Sequence, residues 1–295
     1  MPPAPDDRPT LRVALDEAQK VLAAGPHPER ARRDAETLLL HTLRKNAPET
    51  NLAWLIAHDG EPLASDAADT FCDLVERRHF GEPMQYITGE AEFYGLLFRV
   101  NRDVLIPRPE TEHLVEKAMA LAAEFARPRI VDVGTGSGAI AVALAHALPF
   151  AQITSTDIST AALAVAKDNA ARNGVADRMR FLEGDLLGPV KGEQFDIVVS
   201  NPPYVPESDR NTLHEEVRDY EPAQALFAGE DGLDIYRRLI PAAFGAIVPG
   251  GFVALEIGYG QQETIRALLK GAGFDSVEFI DDLQSIPRVA VARRP

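Results

Sequence analysis

The sequence predicts a doubly wound α/β domain preceded by a small helical bundle, and three observations carry that expectation. From residue 129 onward, short β-branched runs alternate with helical patterns, as parallel strands joined by crossover helices do. The first run, Arg129-Ile130-Val131-Asp132-Val133, leads into a glycine-rich turn that opens a helix, which is where such sheets bind ligands. Residues 10–80 show the helical period instead. A chain of 295 residues has room for both parts.

The helical part is expected to span residues 1–84. Leu11, Leu15, Ala18 and Leu22 share one face, with Val21 adjoining. Pro26 and Pro28 interrupt the chain, and Pro28 suits a first helical turn. Ala31, Ala35, Leu38, Leu39 and Thr42 repeat the spacing, and Trp54-Leu55-Ile56 and the run from Phe71 to Val75 add core, giving a bundle of four or five helices. Arg30, Arg32 and Arg33 read as a solvated face. The single cysteine, Cys72, excludes an internal disulfide, fits a reducing compartment, and reads as small core filler beside Phe71 and Leu74.

Residues 85–105 are expected to link the parts as a β-hairpin. Tyr86-Ile87-Thr88-Gly89 and Glu92 to Val100 are aromatic and β-branched, with Gly95 at the turn. Leu105-Ile106-Pro107-Arg108-Pro109-Glu110-Thr111-Glu112 follows, an extended loop whose acids then enrich a helix first turn. Arg108, flanked by two prolines, either borders a pocket or marks a hinge.

The second domain is expected over residues 106–295. Gly134-Thr135-Gly136-Ser137-Gly138 lets a ligand approach the backbone beneath the helix Ala139–Leu148. Two cofactors compete for this turn. Gly134-x-Gly136-x-x-Ala139 satisfies a dinucleotide pattern, whereas Gly134-x-Gly136-x-Gly138 behind Asp132 has the spacing of S-adenosylmethionine enzymes. The second strand, Gln152 to Thr156, ends in Asp157, placed for ribose hydroxyls with either cofactor. The third, Met179 to Glu183, precedes Gly184-Asp185-Leu186; Asp185 suits an adenine amine, with Leu186 covering the ring, or is simply a turn residue.

The fourth strand, Phe195 to Ser200, is stopped by Asn201-Pro202-Pro203-Tyr204. An asparagine backed by two prolines offers side-chain and backbone acceptors at the carboxyl end of a strand, suited to an amide or aromatic amine with two N–H donors. The plain alternative is a stiffened loop with a capping asparagine. Val205 to Pro222 reads as a long polar loop of the kind that covers active sites. A helix over 232–247, a strand over 251–256, a helix over 261–270, and strands near 277–280 and 288–292 complete the domain.

A net charge of −15 argues against gripping nucleic acid through its phosphates. Residues 1–84 carry 10 Lys+Arg against 15 Asp+Glu, a net of −5, leaving −10 for the remainder, so neither part is basic. The seven histidines lack metal-ligand spacing, and no metal is expected. No apolar stretch has the length to span a bilayer. The acidic, proline-rich start, Met1 to Asp7, does not resemble a targeting signal, so a cytoplasmic protein is expected.

The helical head, the hairpin, Ile106 to Glu112, the Gly134–Gly138 turn and Asn201–Tyr204 together resemble the HemK/PrmC family over nearly the whole chain. Asn-Pro-Pro-Tyr is shared with nucleic-acid amino-methyltransferases; the arginine-bearing proline loop joined to the helical head is the specific part. Leu186 stands where some members carry an aromatic residue. The resemblance implies a Rossmann-like methyltransferase domain that transfers a methyl group from S-adenosylmethionine, leaving S-adenosylhomocysteine, to the glutamine amide of the Gly-Gly-Gln motif in class I peptide chain release factors. It implies Gly134, Thr135, Gly136, Ser137, Gly138, Asp157, Asp185, Leu186 and Asn201 at the cofactor. It also implies Asn201, Pro202, Pro203 and Tyr204 as catalytic and, with Arg108, as substrate-binding residues, and the helical head as the substrate-recognition part. Release factors are then the partner, without direct nucleic-acid or membrane binding. A nucleic-acid amino-methyltransferase and a non-catalytic cofactor-binding assembly protein remain as alternatives; the first should carry a basic recognition region, and intact Asn201–Tyr204 disfavours the second.

Overall fold

The first helix begins where Thr10 accepts a hydrogen bond from the Val13 amide through its hydroxyl, leaving Leu11, Leu15, Ala18 and Leu22 on the buried side of Leu11–Ala23. The computed structural model describes residues 8–295; Met1–Asp7, read above for targeting, lie outside the described residues. The described chain forms two compact units. One comprises the chain up to Gly89 together with Glu215–Tyr220, the other Glu90–His214 and Glu221–Pro295.

In the first unit, helices Leu11–Ala23, Ala31–Arg44 and Ser65–His79 pack around Ala35, Leu38, Leu39, Phe71 and Val75. Two core expectations are corrected. Of Trp54-Leu55-Ile56, Leu55 is buried but Ile56 is 67% exposed, because the short helix Leu52–Ala57 offers only one face to the core. Cys72 is exposed: Phe71, Leu74 and Val75 take the inward positions, which turns it outward. Tyr86–Gly89 is not a strand either. Pro83 starts a helical turn over Met84–Thr88, with the amides of Tyr86 and Ile87 donating to its carbonyl, and Gly89 ends it in the left-handed region.

Glu215–Tyr220 belongs to this unit and not to a structureless cover. The Arg78 side chain, 3% exposed, donates to Asp34 at 2.7 Å and to the Glu82 carbonyl at 2.9 Å, and pairs with Glu216. A guanidinium buried this deeply is tolerated because carboxylates and a carbonyl surround it. Tyr220 Oη adds a bond to the Phe80 carbonyl at 2.8 Å.

The second unit opens with the hairpin β1 (Glu90–Phe93) and β2 (Leu96–Arg99). It is fixed to its own unit and is no free linker: buried Asn169 accepts from the Arg99 amide at 2.7 Å and donates to the Arg99 and Ser137 carbonyls. The main sheet comprises β3 (Arg129–Val133), β4 (Gln152–Asp157), β5 (Met179–Glu183), β6 (Phe195–Ser200), β7 (Ile247–Glu256), β8 (Asp275–Asp281) and β9 (Pro287–Arg293), in the order β5-β4-β3-β6-β7-β9-β8. Strands β3 to β7 pair in parallel, as expected of apolar runs buried on both faces. β9 runs antiparallel to both its neighbours. The few residues between β8 and β9 are too few for a crossover, so the chain returns as a hairpin around Asp282, whose Oδ1 accepts from the amides of Gln284 and Ile286. The order reverses between β3 and β6, which opens a crevice at their carboxyl ends.

Candidate active site

The turns after β3, β4, β5 and β6 line one cavity of about 500 Å³. Gly134 and Gly136 hold φ of +72° and +54°, and a Cβ on either would meet nothing within 4 Å, so the backbone is open to a ligand. Thr135 and Ser137 also line the cavity. Gly138 does not; a Cβ there would lie 3.1 Å from Ala166 Cβ. Its small size lets the helix Ala139–Ala147 approach Thr160–Arg172, so this glycine serves packing and not the cavity wall.

Acids follow the strands. Asp132 is fully buried; burial, more than the charge of Asp157, pushes its carboxyl up to about 7, although Thr135 Oγ1 donates to it at 2.6 Å. Asp157 accepts from the Gly136 amide through Oδ2 and from the Ser159 amide through Oδ1, both at 2.9 Å. This acid therefore holds the glycine turn in place, while each oxygen keeps a further lone pair for a hydroxyl. Ile158, next in line, is 56% exposed and lines the cavity, an apolar surface that sequence reading overlooked. Its place directly after Asp157, the acid that ends β4, was the available signal. Asp185 and Leu186 also line the cavity, and Asp185 is paired with Arg238 from the helix Asp234–Ala246. Leu186 has φ of +51°, a costly conformation that sets its side chain partly into the core and partly onto the cavity.

Asp157→Ala is expected to weaken binding of S-adenosylmethionine roughly 10- to 100-fold, the worth of one or two hydrogen bonds to a charged acceptor, with the fold retained. Calorimetric titration measures it; unchanged affinity removes the assignment.

Asn201, Pro202 and Pro203 line the same cavity; Tyr204 does not. The Tyr204 ring packs against core residues and its hydroxyl donates to Glu256 Oε1 at 3.3 Å, so it is a wall behind the turn and not a surface on which a substrate stacks. Burial and the neighbouring Glu256 raise its phenol far above the ordinary range, which keeps it protonated. Asn201 Nδ2 donates to Thr111 Oγ1 at 3.1 Å, and Thr111 donates to Glu256 Oε2 at 2.6 Å. Gln261 Nε2 holds the Tyr204 carbonyl at 3.1 Å. Arg108 lines the cavity and donates to Glu221 Oε1 at 2.5 Å, so it borders a pocket instead of marking a hinge. Thr111 and Glu256 were not picked out from sequence; they stand 145 positions apart, and nothing local marks their meeting.

The Gly134–Ser137 turn, Asp157 and Asn201 thus line one cavity at the carboxyl ends of the strands. Residues 14–89 match the PrmC N-terminal domain and residues 111–219 the Methyltransferase small domain. A release factor glutamine methyltransferase of Koribacter versatilis is 42% identical over 97% of this chain and 99% of its own length. That of Moorella thermoacetica is 46% identical over 90% of this chain and 91% of its own. Among solved structures, the T. thermophilus 16S rRNA N2 G1207 methyltransferase, 19% identical, covers 70% of this chain and 50% of that one with a TM-score of 0.54, a likeness of fold. With both family domains in order and relatives matching across almost its entire length, the chain belongs to the release factor glutamine methyltransferase family.

Proposed function

We propose that this protein methylates the side-chain amide nitrogen of the glutamine in the Gly-Gly-Gln motif of class I release factors, using S-adenosylmethionine, in the cytoplasm. The observation that carries the reading is that Asn201, its amide committed through Nδ2 to Thr111, shares one cavity with the Gly134–Ser137 turn. Among the described residues, no helix is long and apolar enough to cross a membrane.

The cavity suits that cofactor. Its size lies within the roughly 300–1,000 Å³ typical of small-molecule sites, and Gly134 and Gly136 leave backbone open where a Cβ would fill space. Asp157 lines the cavity and favours a cationic ligand, and Ile158 and Leu186 supply apolar surface for a purine. S-adenosylmethionine, when bound, supplies an electrophilic methyl group and leaves as S-adenosylhomocysteine.

The chain's own residues do the rest. An amide nitrogen is a poor nucleophile because its lone pair is delocalised into the carbonyl. Asn201 Oδ1 and the Pro202 carbonyl accept from its two hydrogens, and they bind more strongly as positive charge develops on nitrogen. The prolines hold these acceptors rigid, which removes part of the orientational barrier. The methylated nitrogen becomes acidic and releases its proton to solvent, so no strong base is required. Arg108, fixed by Glu221, borders the acceptor side, and the first unit selects the release factor.

The test is single-turnover transfer of labelled methyl to a release factor carrying Gly-Gly-Gln, a Gly-Gly-Asn variant, and adenine-containing DNA. Glutamine is expected to be methylated more than tenfold faster than asparagine, whose amide nitrogen falls about an ångström short. Transfer to DNA at an equal or greater rate would replace this reading with nucleic-acid amino-methylation.

A further inference from the structure

We propose that Glu256 and Thr111 form a positioning pair that fixes which end of the Asn201 amide faces the cavity, a step that rests on the reading of an amide acceptor. An asparagine amide has a donor end and an acceptor end of the same shape, and only the acceptor end suits a substrate N–H. Thr111 has one hydroxyl hydrogen. It lies 2.6 Å from Glu256 Oε2, and an ionised carboxylate can only accept, so the Thr111 hydrogen goes to Glu256. The Thr111 oxygen is left to accept, and Asn201 Nδ2 meets it at 3.1 Å. Were Asn201 turned over, Oδ1 would face a hydroxyl oxygen with no hydrogen to give. The direction of one hydrogen bond thus sets the direction of the next, and Asn201 Oδ1 is left for the cavity. Tyr204, donating to the other oxygen of Glu256 at 3.3 Å, keeps that carboxylate from rotating away.

The carboxylate sits on the last residue of β7, 2% exposed. Its surroundings are Thr111 and Glu110 from the loop before the helix Glu112–Ala122, Tyr204 from the Asn-Pro-Pro-Tyr turn, and Arg288 from β9. Tyr236, from the helix Asp234–Ala246, donates its hydroxyl to the Glu256 carbonyl. Arg288 is held by Asp282 at 2.9 Å, so it does not neutralise Glu256 fully. Burial raises the Glu256 carboxyl to about 7, against the opposing bonds from Thr111 and Tyr204 and the charge of Arg288. Tyr204 and Tyr236 are raised above the ordinary phenol range and stay neutral. As pH falls through about 7, Glu256 gains a proton and can donate to Thr111, which frees the threonine hydrogen to turn toward Asn201. Activity therefore declines as Glu256 protonates and is complete above that range.

The experiment compares the parent enzyme with Thr111→Val, Thr111→Ser and Glu256→Gln, measuring kcat and KM for the release factor, affinity for S-adenosylmethionine, thermal unfolding, and kcat from pH 6 to 9. Thr111→Val should lower kcat about tenfold with cofactor affinity kept, and Thr111→Ser should restore it to within threefold. Glu256→Gln should fold and bind cofactor, yet lose the rise of kcat through neutral pH, because its carboxamide neither titrates nor dictates a single hydrogen-bond direction. A rise that persists in Glu256→Gln belongs to another group, such as Asp132, and overturns the proposal. So does a Thr111→Val enzyme with the parent's kcat, or a Thr111→Ser enzyme as impaired as Thr111→Val. A parent enzyme that does not methylate release factor rejects the underlying function, whereas normal parent activity with indifferent variants rejects the pair alone.

Discussion

Asn201→Ala is expected to bind S-adenosylmethionine with nearly the parent's affinity and to lose turnover by roughly 100- to 1,000-fold, the loss seen when one preorganised hydrogen-bonding group is removed from a site of developing charge. The retained affinity follows from position. The residues expected at the ribose and adenine, Asp157 and Asp185, are on other strand ends, where Asp157 accepts from the Gly136 and Ser159 amides and Asp185 pairs with Arg238. The fold should tolerate the change as well, since Thr111 keeps its own bond to Glu256 and partly exposed Asn201 can be replaced there by water. Asn201→Asp should be no better than alanine. One of its oxygens would face Thr111, whose single hydrogen is already donated to Glu256, bringing a second carboxylate toward a buried one. Single-turnover transfer to release factor, paired with cofactor titration, checks both variants. Parent-like turnover in Asn201→Ala would remove Asn201 from the chemistry and leave it a loop cap.

The strands and the turns that follow them were legible because each is a local event. Phe195–Ser200 is buried throughout around its apolar Ile197-Val198-Val199, and Asn201-Pro202-Pro203 stops it within sequence reach. Asp157 and the glycine turn were legible for the same reason. Tyr204 was not, because whether its ring faces the cavity or Glu256 depends on β7, 52 positions away. Glu215–Tyr220 looks like polar loop because the partner that orders Glu216, buried Arg78, lies 138 positions earlier. The helix Thr160–Arg172 was passed over because its inward face is mostly alanine and its periodic signal is weak, although Ser159 caps it at the Ala162 amide. Cys72 and Ile56 carry a further lesson: a residue inside an apolar run of a helix still points wherever the 3.6-residue period sends it.

Gly232→Ala is expected to cost about 100-fold in turnover, although Gly232 makes no contribution to the cavity through a side chain. Gly232 has φ of +73°, and a Cβ added there would stand 2.2 Å from the Tyr204 carbonyl oxygen and 3.0 Å from its carbonyl carbon. No side-chain rotation relieves a clash with backbone, so the turn must shift by on the order of 1 Å, a displacement that can cost 100-fold in a reaction dependent on alignment. The shift has little freedom in the forward direction. Val205 is bonded through its amide to the Leu226 carbonyl at 2.9 Å and through its carbonyl to the Ala228 amide at 3.0 Å. It therefore passes back along Pro203 and Pro202, whose rings resist bending, to the acceptors around Asn201. The left-handed backbone adds roughly 1–2 kcal/mol of strain for any residue with a Cβ, enough to lower the unfolding temperature of the unit by a few degrees. Cofactor affinity should stay within threefold of the parent, because Gly134, Gly136 and Asp157 follow other strands. Gly245→Ala is the matched control: a Cβ there meets nothing within 4 Å, and its helical backbone gains from alanine. Transfer rates and thermal unfolding of the two variants, measured together, separate displacement of the turn from general loss of stability. Turnover in Gly232→Ala within threefold of the parent would mean that the Asn-Pro-Pro-Tyr turn absorbs an ångström without consequence, and the alignment argument for Asn201 would fail with it.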